Sequence, residues 1–323
     1  MSKCRLKFSM AISPEADLEA LQFASQLGVE CAYTWVRPEQ RTVAYLTELR
    51  QKVEDAGLTL HMTGSMDVGK SDKIHLALPG RDEKIAEFQA FVRALGEAGI
   101  PYTTFTWEPD QVWSSAPSTT RGGAVARHVD LAEMRQRPFT HGRAYTSGEI
   151  WDNFSYFIER MLPVCEEANV RLALHPNDPP VDELGGIPCL IHDWASYDRA
   201  FAIAGSPYLG MEFCVGCWLE GGPRFGNVLD GIRHFHAAGK IFIVHFRNIK
   251  APLPVFDEVF LDDGYMDMYQ VMKTLCEVGY AGTMTLDHTP RFVGDYAKGG
   301  GTAYAIGYMR ALKERAEAEL ACC

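Results

Sequence analysis

No run of apolar residues in this sequence is long enough to cross a bilayer, which takes roughly 20 in succession. A transmembrane helix is therefore not expected. Positive charge is also scarce: 31 Lys and Arg stand against 42 Asp and Glu, for a net charge of −11. A broad nucleic-acid footprint needs a basic face, so that class of partner is not expected. The acidity does not exclude an anionic small molecule, because salt screens exposed charge beyond roughly 8 Å and a few cleft arginines can outweigh it. The opening stretch, MSKCRLKFSMAISPEADLEA, lacks a long apolar core and a small-residue cleavage site. A secretory signal is thus not expected, and the cytoplasm is the expected compartment. No G-x-G-x-x-G follows the first apolar run, which removes the usual dinucleotide-binding sheet. The nine cysteines are odd in number and scattered from Cys4 to Cys323, unlike a small disulfide framework, and most read as buried small hydrophobes.

What is present is alternation. Short β-branched or aromatic runs recur at residues 5–11, 30–35, 59–63, 102–107, 171–175, 209–214, 241–246 and 283–287, and longer helical segments separate most of them. Runs such as VRLALH and IFIVHF are nearly all apolar, as parallel strands covered on both faces require. Helical segments stop on Gly28, Gly57, Gly99 and Gly279, and Pro163 is expected to kink or break the segment GEIWDNFSYFIERMLPVCEEAN. Eight such units in a chain that is 47% hydrophobic predict an α/β protein, a single (β/α)8 TIM barrel over residues 1–323. An open doubly wound sheet is the rival. Residues 108–147 form a long polar insertion after strand 4, far beyond an ordinary loop. It leaves the C-terminal end of its strand, so it reads either as a lid over the barrel mouth or as a partly disordered excursion.

Four potential metal ligands end the last four strand runs: His175 in LALHPNDPP, Cys214 in MEFCVG, His245 in IVHFRN and Asp287 in TLDHTP. Singly, each has a plain explanation as a core histidine, a packed cysteine or a helix cap. At the C-terminal rim of one barrel they converge, and imidazole, thiolate and carboxylate together suit Mn2+, Fe2+, Co2+ or Zn2+. Cys214 and Cys217 form C-V-G-C, but no second C-x-x-C accompanies it, so Cys214 is taken as the ligand and Cys217 as a bystander. Arg247, two residues past a strand end, could clamp a carboxylate, with Asn248 beside it. Asn177 and Asp178 could touch substrate hydroxyls, orient His175, or merely shape the turn before Pro179. His288 has the chemistry of an acid or base near neutrality.

The blocks LPGRDEKIAEFQAFVRALGEAGI, WDNFSYFIERMLPVCEEANVRLALHPNDPP, LGGIP, FCVG, HFRN, DDGYMDMYQVMKTLCEVGYAG and LDH, in that order, resemble the mannonate dehydratase family. The resemblance implies a metal-binding barrel with Mn2+ at His175, Cys214, His245 and Asp287. It also implies loss of water from D-mannonate to give 2-keto-3-deoxy-D-gluconate. The sequence departs from the family at several points. Thr285–Leu286 replace an Arg–Pro pair, Thr289 a glycine and Asn177 an aspartate; after strand 4 the run reads TWEPDQVW. A family tyrosine falls at Thr302, with Tyr304 or Tyr296 as possible substitutes. The expected enzyme is therefore a divalent-metal hydro-lyase acting on a small sugar acid, as a homo-oligomer, with Arg247 holding the carboxylate and His288 protonating the leaving hydroxyl. The alternatives are a sugar isomerase or epimerase, a keto-sugar lyase or hydratase on the same barrel, or a metal-binding regulator without turnover.

Overall fold

The computed structural model describes residues 4–297 and 299–322. Eight parallel strands close into a barrel: β1 Lys7–Ala11, β2 Cys31–Trp35, β3 Thr59–Gly64, β4 Tyr102–Thr106, β5 Arg171–His175, β6 Leu209–Cys214, β7 Ile241–His245 and β8 Thr283–Thr285. Each strand pairs with its sequence neighbour, and β8 pairs back to β1 through Lys7↔Thr283 and Ser9↔Thr285. Each expected strand overlaps an observed one, the last ending at Thr285 rather than at 287, and the rival open sheet is set aside by this closure.

Eight principal helices surround the barrel: α1 Leu18–Gln26, α2 Val43–Asp55, α3 Arg81–Glu97, α4 Ser147–Ala168, α5 Trp194–Ala204, α6 Val228–Ala237, α7 Met268–Glu277 and α8 Gly300–Ala321. Their starts follow from local chemistry. Asp17 caps α1 by accepting from Ala20 N, and Thr146 and Glu149 cap α4 reciprocally. The break expected at Pro163 does not occur, because α4 runs through it. Pro163 and Glu159, four residues earlier, are both exposed, so water can solvate the carbonyl that the proline leaves without a donor. Gly96 lets α3 close on α4: a Cβ there would stand 2.4 Å from the Ala168 carbonyl oxygen.

The insertion has defined structure. Ser118–Thr119 pairs with Val125–Ala126, and His128–Asp130 pairs antiparallel with Val255–Val259, which also pairs with Asn248–Ile249. Val125 bridges to Arg291 beyond β8. The segments after β4, β7 and β8 are therefore knitted together at the C-terminal end of the barrel. Among the described residues no helix is long and apolar enough to cross a membrane.

Candidate active site

Strand register brings the potential ligands together. Cys214 pairs with His245, and His245 with Thr285, so the last residues of β6 and β7 lie side by side and Asp287 follows two residues beyond β8. Ligand atoms of His175, Cys214 and His245 all lie within 4.8 Å of one another. Asp287 completes the set: its Oδ2 is 3.8 Å from Cys214 Sγ, and its Oδ1 is 3.4 Å from His245 Nδ1. Asp287 holds a left-handed backbone (φ 61°), which aspartate adopts more readily than most side chains.

The two imidazoles are oriented from behind. His175 Nδ1 lies 2.7 Å from the Pro176 carbonyl, leaving Nε2 for the centre. His245 Nε2 lies 2.6 Å from Glu212 Oε1, while its Nδ1 is buried with no hydrogen-bond partner. Glu212 is itself buried and accepts from Thr104 Oγ1. Burial opposes its charge, but His245 outweighs that and holds its pKa down at about 2. Burial likewise opposes charge on His245 and Cys214. Glu212 and Asp287 nevertheless push the His245 pKa well up, and Cys217, Arg247 and the histidines hold the Cys214 thiol well down. A dry site with three anionic groups, two imidazoles and an unpartnered ring nitrogen fits a divalent cation, which would supply the positive charge while leaving both imidazoles neutral for coordination.

Behind these four residues lies a layer of buried ion pairs. Arg247, 1% exposed, places Nε 3.0 Å from Asp287 Oδ2, and Nη2 2.9 Å from Glu220 and 3.2 Å from Asp178; its Nη1 pairs closely with Glu258. Nη2 also lies 3.6 Å from Sγ of both Cys214 and Cys217. Gly216 makes room for this guanidinium, since a Cβ there would stand 2.2 Å from Arg247 Nε. From the insertion, Arg127 Nη1 reaches Asp178 Oδ1 at 2.7 Å and Glu258 Oε1 at 3.2 Å.

These contacts correct several expectations. Arg247 is too buried and too fully paired with carboxylates to clamp a substrate; it holds Asp287 and Cys214 in place. Asn248 is buried, with Nδ2 donating to Leu261 O and Met266 O and Oδ1 accepting from Ile249 N, so it braces its own loop. Asn177 spends its amide on Trp107 O and Ile191 N, and Asp178 faces the two arginines, so both order the rim rather than present free groups to a ligand. His288 alone of the expected substrate-side groups is open, at 49% side-chain exposure. Its Nδ1 is 2.7 Å from Glu258 Oε2 and its Nε2 3.2 Å from Asp287 Oδ1. Burial lowers its pKa, but the two carboxylates outweigh that and raise it. Neither candidate tyrosine joins this group. Tyr296 is 74% exposed on the wall of a groove of about 500 Å3, and Tyr304 packs its ring against Phe260 and Tyr308.

Sequence reasoning missed Glu212, Glu220, Glu258 and Arg127. Glu212 carried a signal, since it precedes Cys214 by two residues on an otherwise apolar strand and so shares its face. The other three arrive from the short helix Val215–Gly221, the strand Val255–Val259 and the insertion, whose paths to the site no periodicity encodes.

A family model described as D-mannonate dehydratase (UxuA) matches residues 123–320, more than half of the chain. The mannonate dehydratase of Thermotoga maritima is 28% identical over 314 residues, covering 83% of this chain and 85% of its own. That of Streptococcus pneumoniae is 29% identical over 295 residues, covering 83% and 78%. The crystal structure of mannonate dehydratase from Streptococcus suis serotype 2 superposes with a TM-score of 0.85 at 25% identity, covering 98% of this chain and 95% of that one. An L-ribulose 3-epimerase structure matches at TM-score 0.64 and 15% identity over 98% of each chain, a likeness of fold alone. With the barrel closed, the strand-end histidines and cysteine gathered, and the family model matching more than half of the chain, the chain belongs to the D-mannonate dehydratase family.

Proposed function

We propose that this protein is a metal-dependent hydro-lyase that converts D-mannonate to 2-keto-3-deoxy-D-gluconate and water. The observation that carries the reading is the convergence of His175, Cys214, His245 and Asp287 at one barrel rim in a member of this family. These four residues would hold the ion. Mn2+ is our first choice, and Fe2+, Co2+ and Zn2+ are ions that the same donors accept. When bound, a divalent cation supplies Lewis-acid polarisation of substrate oxygens.

The remaining work falls to the chain's own side chains. His288 is the general acid: its Nε2, 3.2 Å from Asp287 Oδ1, carries the proton that the departing hydroxyl needs. Glu258 fixes the ring through Nδ1 and, with Asp287, favours the protonated form that an acid requires. Arg247 serves as a positioning residue, because it pins the Asp287 carboxylate and stands against Cys214. Arg127 and the strand His128–Asp130 fold the insertion against the same acids.

Purified holoprotein incubated with a panel of aldonic acids tests the reading. Formation of a 2-keto-3-deoxy acid from D-mannonate, and its loss in His288→Ala with metal content unchanged, is the expected result. Full activity in His288→Ala would remove the acid assignment, and no product from any aldonic acid would remove the dehydratase reading.

A further inference from the structure

The thiol of Cys217 has no part in the reaction proposed above, yet it lies against a ligand. Cys214 and Cys217 sit three residues apart on the first turn of the helix Val215–Gly221, and Cys217 N–H donates to Cys214 Sγ at 3.4 Å. Neighbours at this spacing on a helical turn bring their Cβ atoms close, within the range where modest movement closes a disulfide. The Arg247 guanidinium lies 3.6 Å from each sulfur and is pressed there by the absence of a Cβ at Gly216. Asp178, Cys217 and Glu220 also converge, but Arg127 and Arg247 already occupy those carboxylates, which argues against a second cation there.

We infer that Cys214 and Cys217 form a peroxide-sensitive dithiol whose closure withdraws a metal ligand. This rests on the reading of Cys214 as a ligand. The Cys214 thiolate attacks hydrogen peroxide; an S–O bond forms, the O–O bond breaks, and hydroxide leaves. The Cys217 thiol then attacks that sulfur; an S–S bond forms, the S–O bond breaks, and the second oxygen departs as water with the Cys217 proton. Two thiols are oxidised and one peroxide is reduced to two waters once the hydroxide is protonated. Metal-free protein is the vulnerable form, because a bound ion occupies the Cys214 lone pair. A dithiol reductant reverses the change.

The test uses the full chain, metal-stripped or loaded with Co2+, treated with hydrogen peroxide, alkylated and mapped by peptide mass. Cobalt serves as probe because its bond to a thiolate gives a charge-transfer absorption band. In metal-free protein the expected result is a Cys214–Cys217 link two hydrogens lighter than the dithiol, loss of the cobalt–thiolate band on reloading, and its return after dithiothreitol. Loaded protein should react about 100-fold more slowly at a Co2+ concentration a hundred times Kd. Cys217→Ser should bind Co2+ as the parent does, yet lose the band irreversibly as Cys214 passes beyond the sulfenic stage. Failure to form the 214–217 link in protein that shows the cobalt–thiolate band, or full dithiothreitol recovery in Cys217→Ser, would overturn the proposal alone. Absence of the band in untreated protein would overturn the metal-site reading and the proposal with it.

Discussion

Glu212 Oε1 and His245 Nε2 lie 2.6 Å apart inside the barrel, one layer below the rim, and this pair fixes which nitrogen His245 offers at the surface. With Nε2 committed to the carboxylate, Nδ1 is the atom that faces Asp287. Outer carboxylates of this kind set the orientation and basicity of a ligand histidine. Glu212→Gln keeps the shape but not the charge, and should weaken Mn2+ affinity by about 10- to 100-fold. Calorimetric titration of the metal-free variant reads this directly. An unchanged affinity would mean that the pair is a packing contact and that His245 is oriented by something else.

Arg127 ties the insertion to the buried acids, and its removal should be felt in both stability and turnover. Its side chain is 12% exposed, with Nε donating to Ser114 Oγ and Nη2 to Trp113 O besides the ion pairs to Asp178 and Glu258. Breaking a buried pair by deleting one partner costs about 3–5 kcal/mol, and the presence of Arg247 on the same carboxylates puts Arg127→Ala at the lower end, about 3 kcal/mol. Urea unfolding of Arg127→Ala and Arg127→Lys would check this, with lysine restoring charge but not the two fixed hydrogen bonds. A loss below about 0.5 kcal/mol, the scale of an ordinary surface change, would contradict the coupling.

Acid sensitivity should come in part from histidines outside the rim. His75 is buried against Trp107, ring centroids 4.3 Å apart, and burial drives its pKa down to about 3; His61, between Ser9 and Thr283, is driven down by burial to about 4. Both stay neutral in the folded protein but take up a proton near pH 6.5 when unfolded. Their contribution is therefore complete above pH 6.5 and drains away as pH falls toward 3 to 4. For His75 the loss by pH 4.5 is about 2 to 3 kcal/mol, at roughly 1.4 kcal/mol per pH unit below 6.5. His75→Gln should flatten the stability–pH curve between pH 6.5 and 4.5. A slope equal to the parent's would show that His75 does not titrate on unfolding.

The barrel was legible because each strand is a nearly unbroken apolar run between helix stops, and residues such as Arg171–His175 and Leu209–Cys214 coincide with their observed strands. The gathering of His175, Cys214 and His245 was legible for the same reason: a polar residue ending an apolar strand has only the rim to face. Arg247 and Asn248 misled, because their position just past β7 carries no information about whether a side chain turns outward to a ligand or inward to its own acids. That choice was made by Glu220 and Glu258, which arrive from a short helix and from a loop strand paired to the insertion. Pro163 misled for a different reason, since its cost depends on whether solvent can reach the freed carbonyl, and only the packed helix shows that face.

The central claim is that the rim residues hold an ion on which turnover depends. The most direct measurement strips the protein of metal and follows formation of the 2-keto-3-deoxy acid from D-mannonate as Mn2+ is added back, for the parent chain and for His245→Ala. The account predicts no turnover without metal, recovery that saturates at one ion per chain, and neither tight binding nor recovery in His245→Ala. Undiminished turnover in the stripped parent, or recovery in His245→Ala equal to the parent's, would contradict it.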